Sequence, residues 1–151
     1  MIALLQLVSR AEVEVGSETV GAIGRGLLVL LGVAQGDDAS VTERLVDRVL
    51  GYRIFPDTAG RMNRSVLDVA GALLVVPQFT LCADTGKGSR PSFSSAAAPE
   101  AARRLYEHFL ALARLRLASV AGGRFGAQMR VSLCNDGPVS FWLEVPPLRA
   151  T

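Results

Sequence analysis

The chain has 151 residues, half of them hydrophobic, and a mean hydropathy of +0.33. This length and composition exclude a disordered protein and predict one domain with a buried core. The net charge of +2 is too small to indicate a nucleic-acid-binding surface by itself. No apolar run is long enough to span a membrane, and the first residues lack the basic start of a signal peptide. We therefore expect a cytoplasmic protein.

The first third of the chain predicts short strands followed by a helix. Apolar residues either alternate with polar ones, as over residues 11–15, or form a continuous run, as over residues 27–33, and glycine turns separate these segments. This pattern is typical of an antiparallel meander. Ser40 with Glu43 fits a capping box, and apolar side chains then follow helical spacing. We predict an amphipathic helix over residues 40–52. We predict strands over residues 2–8, 11–15, 19–23 and 27–33.

The remaining two thirds predict three more strands and a second helix. Residues 71–79 are strongly apolar and predict a strand, whereas residues 82–98 are rich in glycine and serine and predict a loop. Pro99 suits the first turn of a helix, which we predict to run to residue 117. The final strands are predicted over residues 127–134 and 138–145.

These elements together predict an α+β fold. Its sheet is expected to be antiparallel and barrel-like, with two main helices covering it. We see no linker and no internal repeat, so we assign residues 1–147 to a single domain and residues 148–151 to a frayed tail.

Two segments place polar or turn-forming residues where an apolar strand ends or is interrupted. Gln78-Phe79-Thr80 ends one such run, and Gly137-Pro138 lies between two others. Backbone features of this kind are where a rigid scaffold holds binding and catalytic loops. Taken alone, each segment also fits a purely structural role, as a sheet edge and a hairpin turn, and the sequence does not fix the isomer of an X-Pro bond.

The sequence contains no conventional catalytic or metal-binding arrangement. His108 is the one histidine, and Cys82 and Cys134 are far apart, so we expect no metal. No glycine-rich segment has the context of a nucleotide-binding loop, so we expect no cofactor. An acyl hydrolase that combines Thr80, Ser92 or Cys82 with His108 remains as an alternative. Otherwise, catalysis must come from backbone dipoles, positioned water or the substrate.

Along nearly its whole length the chain resembles the D-aminoacyl-tRNA deacylases. The first family motif reads Ser-Gln-Phe-Thr and appears here as Pro77-Gln78-Phe79-Thr80. The second reads Asn-x-Gly-Pro-Val-Thr and appears as residues 135–140. Other matching segments are Met1–Gln6, Gly26–Val33, Gly51–Phe55, Met62-Asn63, Arg90–Phe93, Gly123–Gly126 and Val131–Leu133.

This resemblance implies a homodimer with its two sites at the subunit interface. The substrate would be a tRNA that carries a D-amino acid, and the reaction would be hydrolysis of the ester at its 3′ end. Gly137-Pro138 would be cis and would reach into the pocket of the partner. Its main-chain carbonyls would exclude an L side chain by repulsion, and glycine would be poorly discriminated because it has no side chain.

The resemblance also implies roles for the first motif. The catalytic residues would be Gln78, Phe79 and Thr80, with backbone N–H groups around Phe79 and Thr80 binding the oxyanion. Gln78 would hold the loop, Phe79 would pack near the terminal adenine, and Thr80 would support them. The neighbouring ribose hydroxyl would help to activate water, and Pro77 would contact the substrate.

Two departures from the family pattern bear on activity. Pro77 replaces the family serine, which removes a hydroxyl and an N–H group. Leu7 stands where an arginine usually braces the Gly-Pro loop. A catalytically weakened homodimer of the same fold, which binds the tRNA end without hydrolysing it, is therefore the alternative function.

Overall fold

The first strand contributes side chains to two core clusters. In the computed structural model, which describes residues 1–149, β1 runs unbroken over Ile2–Val15. The separate strands predicted over 2–8 and 11–15 are therefore one element, because the residues between them stay extended. Leu5 belongs to one cluster of buried side chains, and Val13 belongs to the other.

β1 organises the sheet, because it pairs antiparallel with β2 (Glu18–Ile23), β3 (Gly26–Gly32) and β8 (Arg130–Glu144). β3 pairs with the first half of β1 and β2 with the second half, while β8 pairs along both. The predicted meander is therefore wrong, since the strand order is β2-β1-β3.

The prediction of a purely antiparallel sheet is also wrong. β6 (Ala72–Pro77) pairs parallel with β3, and β7 (Val120–Gly122) pairs parallel with β6. Parallel neighbours need a crossover connection. The two helices provide it, because α1 (Ala39–Gly51) lies between β3 and β6 in the chain and α2 (Pro99–Arg114) lies between β6 and β7.

The sheet curves so strongly that β2 and β7 meet. A Cβ atom added to Gly21 of β2 would lie 2.9 Å from the carbonyl oxygen of Gly122 in β7. This nearly closed, mixed sheet with its two helices confirms the predicted α+β class and its barrel-like curvature.

The helices cover the larger core cluster. Leu45 of α1 and Phe109 of α2 are fully buried there, as the helical spacing predicts. The predicted capping box is wrong, because Asp38 caps α1 and its Oδ1 accepts from the Val41 N–H at 2.9 Å. α2 ends at Arg114, earlier than predicted. Neither helix has the length and apolar character needed to cross a bilayer.

The C-terminal strand is one element instead of the two predicted. β8 stays paired with β1 on both sides of residues 136–138, so the predicted connection is a bulge within it. Beyond β8, the carbonyl of Pro146 accepts from Arg44 Nη2 at 2.7 Å. The predicted frayed tail lies partly outside the described residues. A turn over residues 57–61 joins the short strands β4 (Phe55–Pro56) and β5 (Met62–Arg64).

Candidate active site

The end of β6 leads directly into a 3-10 helix, Phe79–Cys82, and the first motif lies at this junction. The Gln78 N–H donates to the Leu31 carbonyl at 2.8 Å, which ties the junction to β3. The first N–H to bond within the helix is that of Leu81, which donates to the Gln78 carbonyl at 3.3 Å. The N–H groups of Phe79 and Thr80 therefore have no acceptor inside the helix. They are two adjacent donors, which is what an oxyanion requires.

The Thr80 hydroxyl is engaged by a side-chain amide. Gln78 Nε2 donates to Thr80 Oγ1. An amide nitrogen has no basic lone pair and cannot take a proton from the hydroxyl. This contact fixes the Gln78 side chain over the 3-10 helix and leaves Thr80 without the activation that a nucleophile needs.

A cavity of about 660 Å³ opens beside the junction. Gln78 and Phe79 line it, and so does Pro77, whereas Thr80 does not. This volume is in the range of small-molecule sites, and such sites are mostly apolar with a few polar groups. The aromatic residues that line it are Phe79, Phe93, Tyr106 and Phe125.

Two aromatic rings meet at the entrance to this cavity. Phe79 and Phe93 pack edge to face with 5.0 Å between their ring centroids. The side chain of Phe79 is nevertheless 58% exposed. A large apolar surface left open on a ring that is held in place favours the binding of a planar apolar group.

Tyr106 holds the inner wall of the cavity. Its hydroxyl lies 3.0 Å from the carbonyls of both Val75 and Gly123, so it ties α2 to the sheet. Burial raises the pKa of Tyr106, because the phenolate would be poorly solvated there. Tyr106 is therefore a neutral structural donor, not an acid or base near neutral pH.

The second motif forms the bulge in β8. Gln6 of β1 pairs with Ser140 and Val8 pairs with Asn135, so residues 136–139 lie opposite Leu7 alone. The Gly137-Pro138 peptide bond is cis, as the resemblance implies, and both residues are exposed. Gly137 has a φ of 130°, which is a conformation that favours glycine.

Polar side chains brace this bulge. The Val139 N–H donates to Asn135 Oδ1 at 3.1 Å. Ser140 Oγ accepts from Asn135 Nδ2 at 3.2 Å and from Gln6 Nε2 at 3.3 Å. Leu7 is buried in the core and makes none of these bonds. The bulge is thus held by hydrogen bonds from its own strand and from β1, although the family arginine is missing.

The two motifs lie apart in the described chain. Gly137 and Pro138 are absent from the described residues that line the cavity, although Val131 of the same strand lines it. The bulge instead projects from β8, whose strand pairing within residues 1–149 is with β1 alone. The described chain therefore presents a cavity and, apart from it, an exposed bulge.

The side chains of a conventional acyl hydrolase are scattered. His108 Nε2 lies 3.9 Å from Glu43 Oε1, between the two helices. The Ser92 hydroxyl is 3.2 Å from that of Ser94. Cys82 is buried, and burial raises the pKa of its thiol, which disfavours the reactive thiolate. These positions give no nucleophile with a base beside it.

Sequence reasoning missed several residues of the cavity wall. Phe93 and Phe125 lie in segments that match the family, but nothing in the residues themselves indicated a role. Tyr106 lies within α2, where helical spacing predicts burial but no role at a site. Phe93 and Phe125 lie on loops, and loop conformation has no periodic signal that a sequence could reveal.

Comparison with known proteins identifies the family. The model of the D-Tyr-tRNA(Tyr) deacylase family matches residues 4–144. A D-aminoacyl-tRNA deacylase of Herminiimonas arsenicoxydans is 59% identical over 147 residues, which are 97% of this chain and 99% of that protein. Another, of Thioalkalivibrio sulfidiphilus, is 60% identical over 149 residues, which are 99% of this chain and 100% of that protein.

Solved structures agree in fold. That of the c-Myc DNA unwinding element binding protein superimposes with a TM-score of 0.92 at 41% identity, over 97% of this chain and 100% of the other. The structure of a probable eukaryotic D-amino acid tRNA deacylase superimposes with a TM-score of 0.83 at 17% identity, over 95% of this chain and 98% of the other. Because the family model spans almost the whole chain and curated relatives are more than half identical to it, the chain belongs to the D-Tyr-tRNA(Tyr) deacylase family.

Proposed function

We propose that this protein hydrolyses the ester between a D-amino acid and the 3′ end of tRNA. It would release glycine from mischarged tRNA as well, and it would act in the cytoplasm, where translation uses aminoacyl-tRNA. The observation that carries the proposal is the junction of β6 with the 3-10 helix, where two backbone donors without helical acceptors adjoin an aromatic cavity.

The reaction needs little from side chains. Water attacks the ester carbonyl, and the N–H groups of Phe79 and Thr80 stabilise the negative charge that develops on its oxygen. The hydroxyl next to the ester on the terminal ribose helps to activate that water. The tetrahedral intermediate then collapses, the C–O bond to the ribose breaks, and the ribose oxygen takes a proton. The products are the free D-amino acid and tRNA with an intact 3′ end.

The proposal includes a homodimer in which Gly137-Pro138 enters the partner's cavity. Two features support it. The bulge protrudes from β8 and is absent from the lining of its own cavity within the described residues. The outer edge of β8 is unpaired in the described chain, and its Trp142 is 51% exposed. A long open strand edge presents unpaired N–H and C=O groups with which another chain can pair.

Selection by the bulge would work through repulsion. The main-chain carbonyls of Gly137 and Pro138 would face the substrate Cα and occupy the space that an L side chain needs. A D side chain would point away from them, and glycine would fit because it has no side chain. Specificity can be built by placing a clash against the wrong substrate as well as by adding contacts to the right one.

A tRNA-end-binding homodimer without catalysis is the second candidate, and Pro77 favours it. Pro77 lines the cavity but has neither the N–H group nor the hydroxyl of the family serine. If the reaction depends on either group, the protein binds its substrate without hydrolysing it.

Hydrolysis of matched D-, L- and glycyl-tRNA by the purified protein tests both candidates. We expect rapid release of the D-amino acid and of glycine, with the L-amino acid retained. Binding of all three without release of any amino acid would support the second candidate. Equal hydrolysis of the D- and L-forms would contradict the proposed selection.

Thr80→Ala and His108→Ala are each expected to lower kcat/KM for D-aminoacyl-tRNA by about tenfold or less. The Thr80 hydroxyl makes one neutral hydrogen bond, to Gln78, and such a bond contributes roughly 0.5–1.5 kcal/mol. His108 lies between the helices beside Glu43. Steady-state deacylation kinetics measure both values. A loss on the order of 10⁶-fold in either variant would point to a nucleophile or base instead.

Pro77→Ser is expected to preserve or raise kcat/KM. Serine returns an N–H and a hydroxyl to the cavity wall, and the position is at the end of the β6 ladder, opposite Leu31. Pro56→Ser, at an exposed position in β4, serves as the control for removing a proline elsewhere. A large drop in the Pro77 variant alone, measured by deacylation, would show that the cavity has adapted to proline.

A further inference from the structure

Arg103 occupies the rim of the cavity. It lies in α2 directly after Ala102, which lines the cavity, and its guanidinium carbon is 5.0 Å from the centroid of the Phe125 ring. Its Nη2 is 3.7 Å from the position that a Cβ atom on Gly126 would take. Phe125 and Gly126 also line the cavity. The positive charge of Arg103 is therefore held beside two residues that line the cavity.

This charge has no partner among the described residues. Arg103 is exposed, and none of the ion pairs formed within residues 1–149 includes it. Three other exposed arginines each lie beside a carboxylate: Arg116 beside Asp47, Arg124 beside Glu18 and Arg130 beside Glu14.

Stacking on Phe125 prepares the guanidinium for an anion. A guanidinium above a ring is held by a cation–π interaction, and its N–H donors point outward in its own plane. That fork matches the two free oxygens of a phosphodiester, which it binds through paired charge-assisted hydrogen bonds. The apolar wall below it would accept a planar base but not a phosphate.

We infer that Arg103 binds a backbone phosphate of the RNA end whose terminal nucleoside enters the cavity. The inference rests on the proposed function. A nucleoside in an apolar cavity must leave its ionised phosphate at the opening, because burying that charge unpaired is costly. Arg103 is a cation held next to the cavity by its stacking on Phe125, and no carboxylate among the described residues neutralises it. It gives affinity for the RNA backbone without contacting the ester.

Arg103→Ala and Arg104→Ala form a matched pair for the test. The two residues are adjacent in α2, both are exposed, and each substitution removes one positive charge. With D-aminoacyl-tRNA, we expect Arg103→Ala to raise KM by roughly fivefold or more and to leave kcat unchanged. The slope of log KM against log salt concentration should fall by about 0.7, the value for one phosphate contact of a single strand. Arg104→Ala should change that slope far less, and Arg103→Lys should restore most of it.

A substrate without phosphate separates this role from a structural one. The D-aminoacyl ester of adenosine lacks any phosphate, so wild type and Arg103→Ala should hydrolyse it equally. An equal loss on this ester, or an unchanged salt slope on tRNA, would overturn the inference. If the wild type hydrolyses neither substrate, the proposed function fails. Arg103 is then tested by the salt dependence of binding to an uncharged RNA oligonucleotide that ends in adenosine.

Discussion

Gly137→Ala should abolish most of the preference for D-aminoacyl-tRNA over L-aminoacyl-tRNA. Gly137 has a φ of 130°, which alanine rarely adopts. A Cβ atom there would lie 2.6 Å from Val139 Cγ2 and 3.1 Å from the Val139 nitrogen. That nitrogen is held by Asn135, so the neighbouring backbone cannot yield freely. The carbonyls of the bulge must move instead.

The size of the expected effect follows from how strongly the rate depends on the exact position of a group that orients the substrate. A displacement of about 1 Å in a group that orients the substrate lowers the rate on the order of 100-fold. We expect a loss of that order in kcat/KM for the D-substrate, together with detectable hydrolysis of the L-substrate. Deacylation of matched D- and L-aminoacyl-tRNA measures both.

Gly16→Ala is the matched control. Gly16 also has a positive φ, of 59°, but a Cβ atom there would meet nothing within 4 Å. It lies in the turn between β1 and β2, so its substitution adds backbone strain without touching the bulge. The chiral preference should survive this change. If it also survives Gly137→Ala, the proposed selection by the bulge is wrong.

Mixing two impaired variants tests whether the bulge acts across the proposed dimer. Gly137→Ala damages the bulge, and Phe79→Ala damages the cavity. If each site combines the cavity of one subunit with the bulge of the other, a mixed dimer has one intact site. Random reassociation should then restore about a quarter of the wild-type activity, since half of the dimers are mixed. No recovery in dimers shown to be mixed would place bulge and cavity in one subunit.

Gly26→Ala should cause the largest loss of stability. Gly26 is buried at the start of β3, directly opposite Ala72 of β6. A Cβ atom there would lie 1.9 Å from the Ala72 carbonyl oxygen and 2.6 Å from its carbon. The obstacle is backbone in a paired strand, so relief requires opening the β3–β6 ladder. We expect the free energy of unfolding to fall by more than about 4 kcal/mol, a size seen for severe steric conflict in the core.

Gly24→Ala is the control. Gly24 lies two residues before Gly26, and a Cβ atom there would meet nothing within 4 Å. We expect a change within about 0.5 kcal/mol, as for other surface substitutions. Urea unfolding followed by circular dichroism measures both variants. A Gly26 variant as stable as the Gly24 variant would mean that β3 and β6 are not packed as described.

Much of this fold could be predicted, because local spacing determines it. Leu45 and Phe109 repeat with their neighbours at the helical period, and both helices form where that period occurs. The pairing of strands could not be predicted in the same way. β6 pairs with β3 instead of continuing a meander because a helical crossover returns the chain to that edge, and this choice depends on contacts far apart in sequence.

In the candidate site, too, the features that are contiguous in sequence could be predicted and those that depend on distant residues could not. Gln78-Phe79 and Gly137-Pro138 are contiguous motifs, so a family resemblance could locate them. Arg103 could not be singled out, since it is one of several arginines on the outer face of α2, and its position depends on a ring that follows it by more than twenty residues. Similarly, the bracing of the bulge by Gln6 requires the register between β1 and β8.

That register also has a kinetic consequence. Ile2 pairs with Glu144, so β1 must wait for β8 to be synthesised before one of its edges is covered. At ordinary translation speeds of about 5–20 residues per second, this wait lasts on the order of ten seconds. Throughout it, the nascent chain carries an open apolar strand. Folding of the sheet is therefore expected to finish only after β8 has emerged from the ribosome, and shielding of β1 until then should raise the yield of native protein.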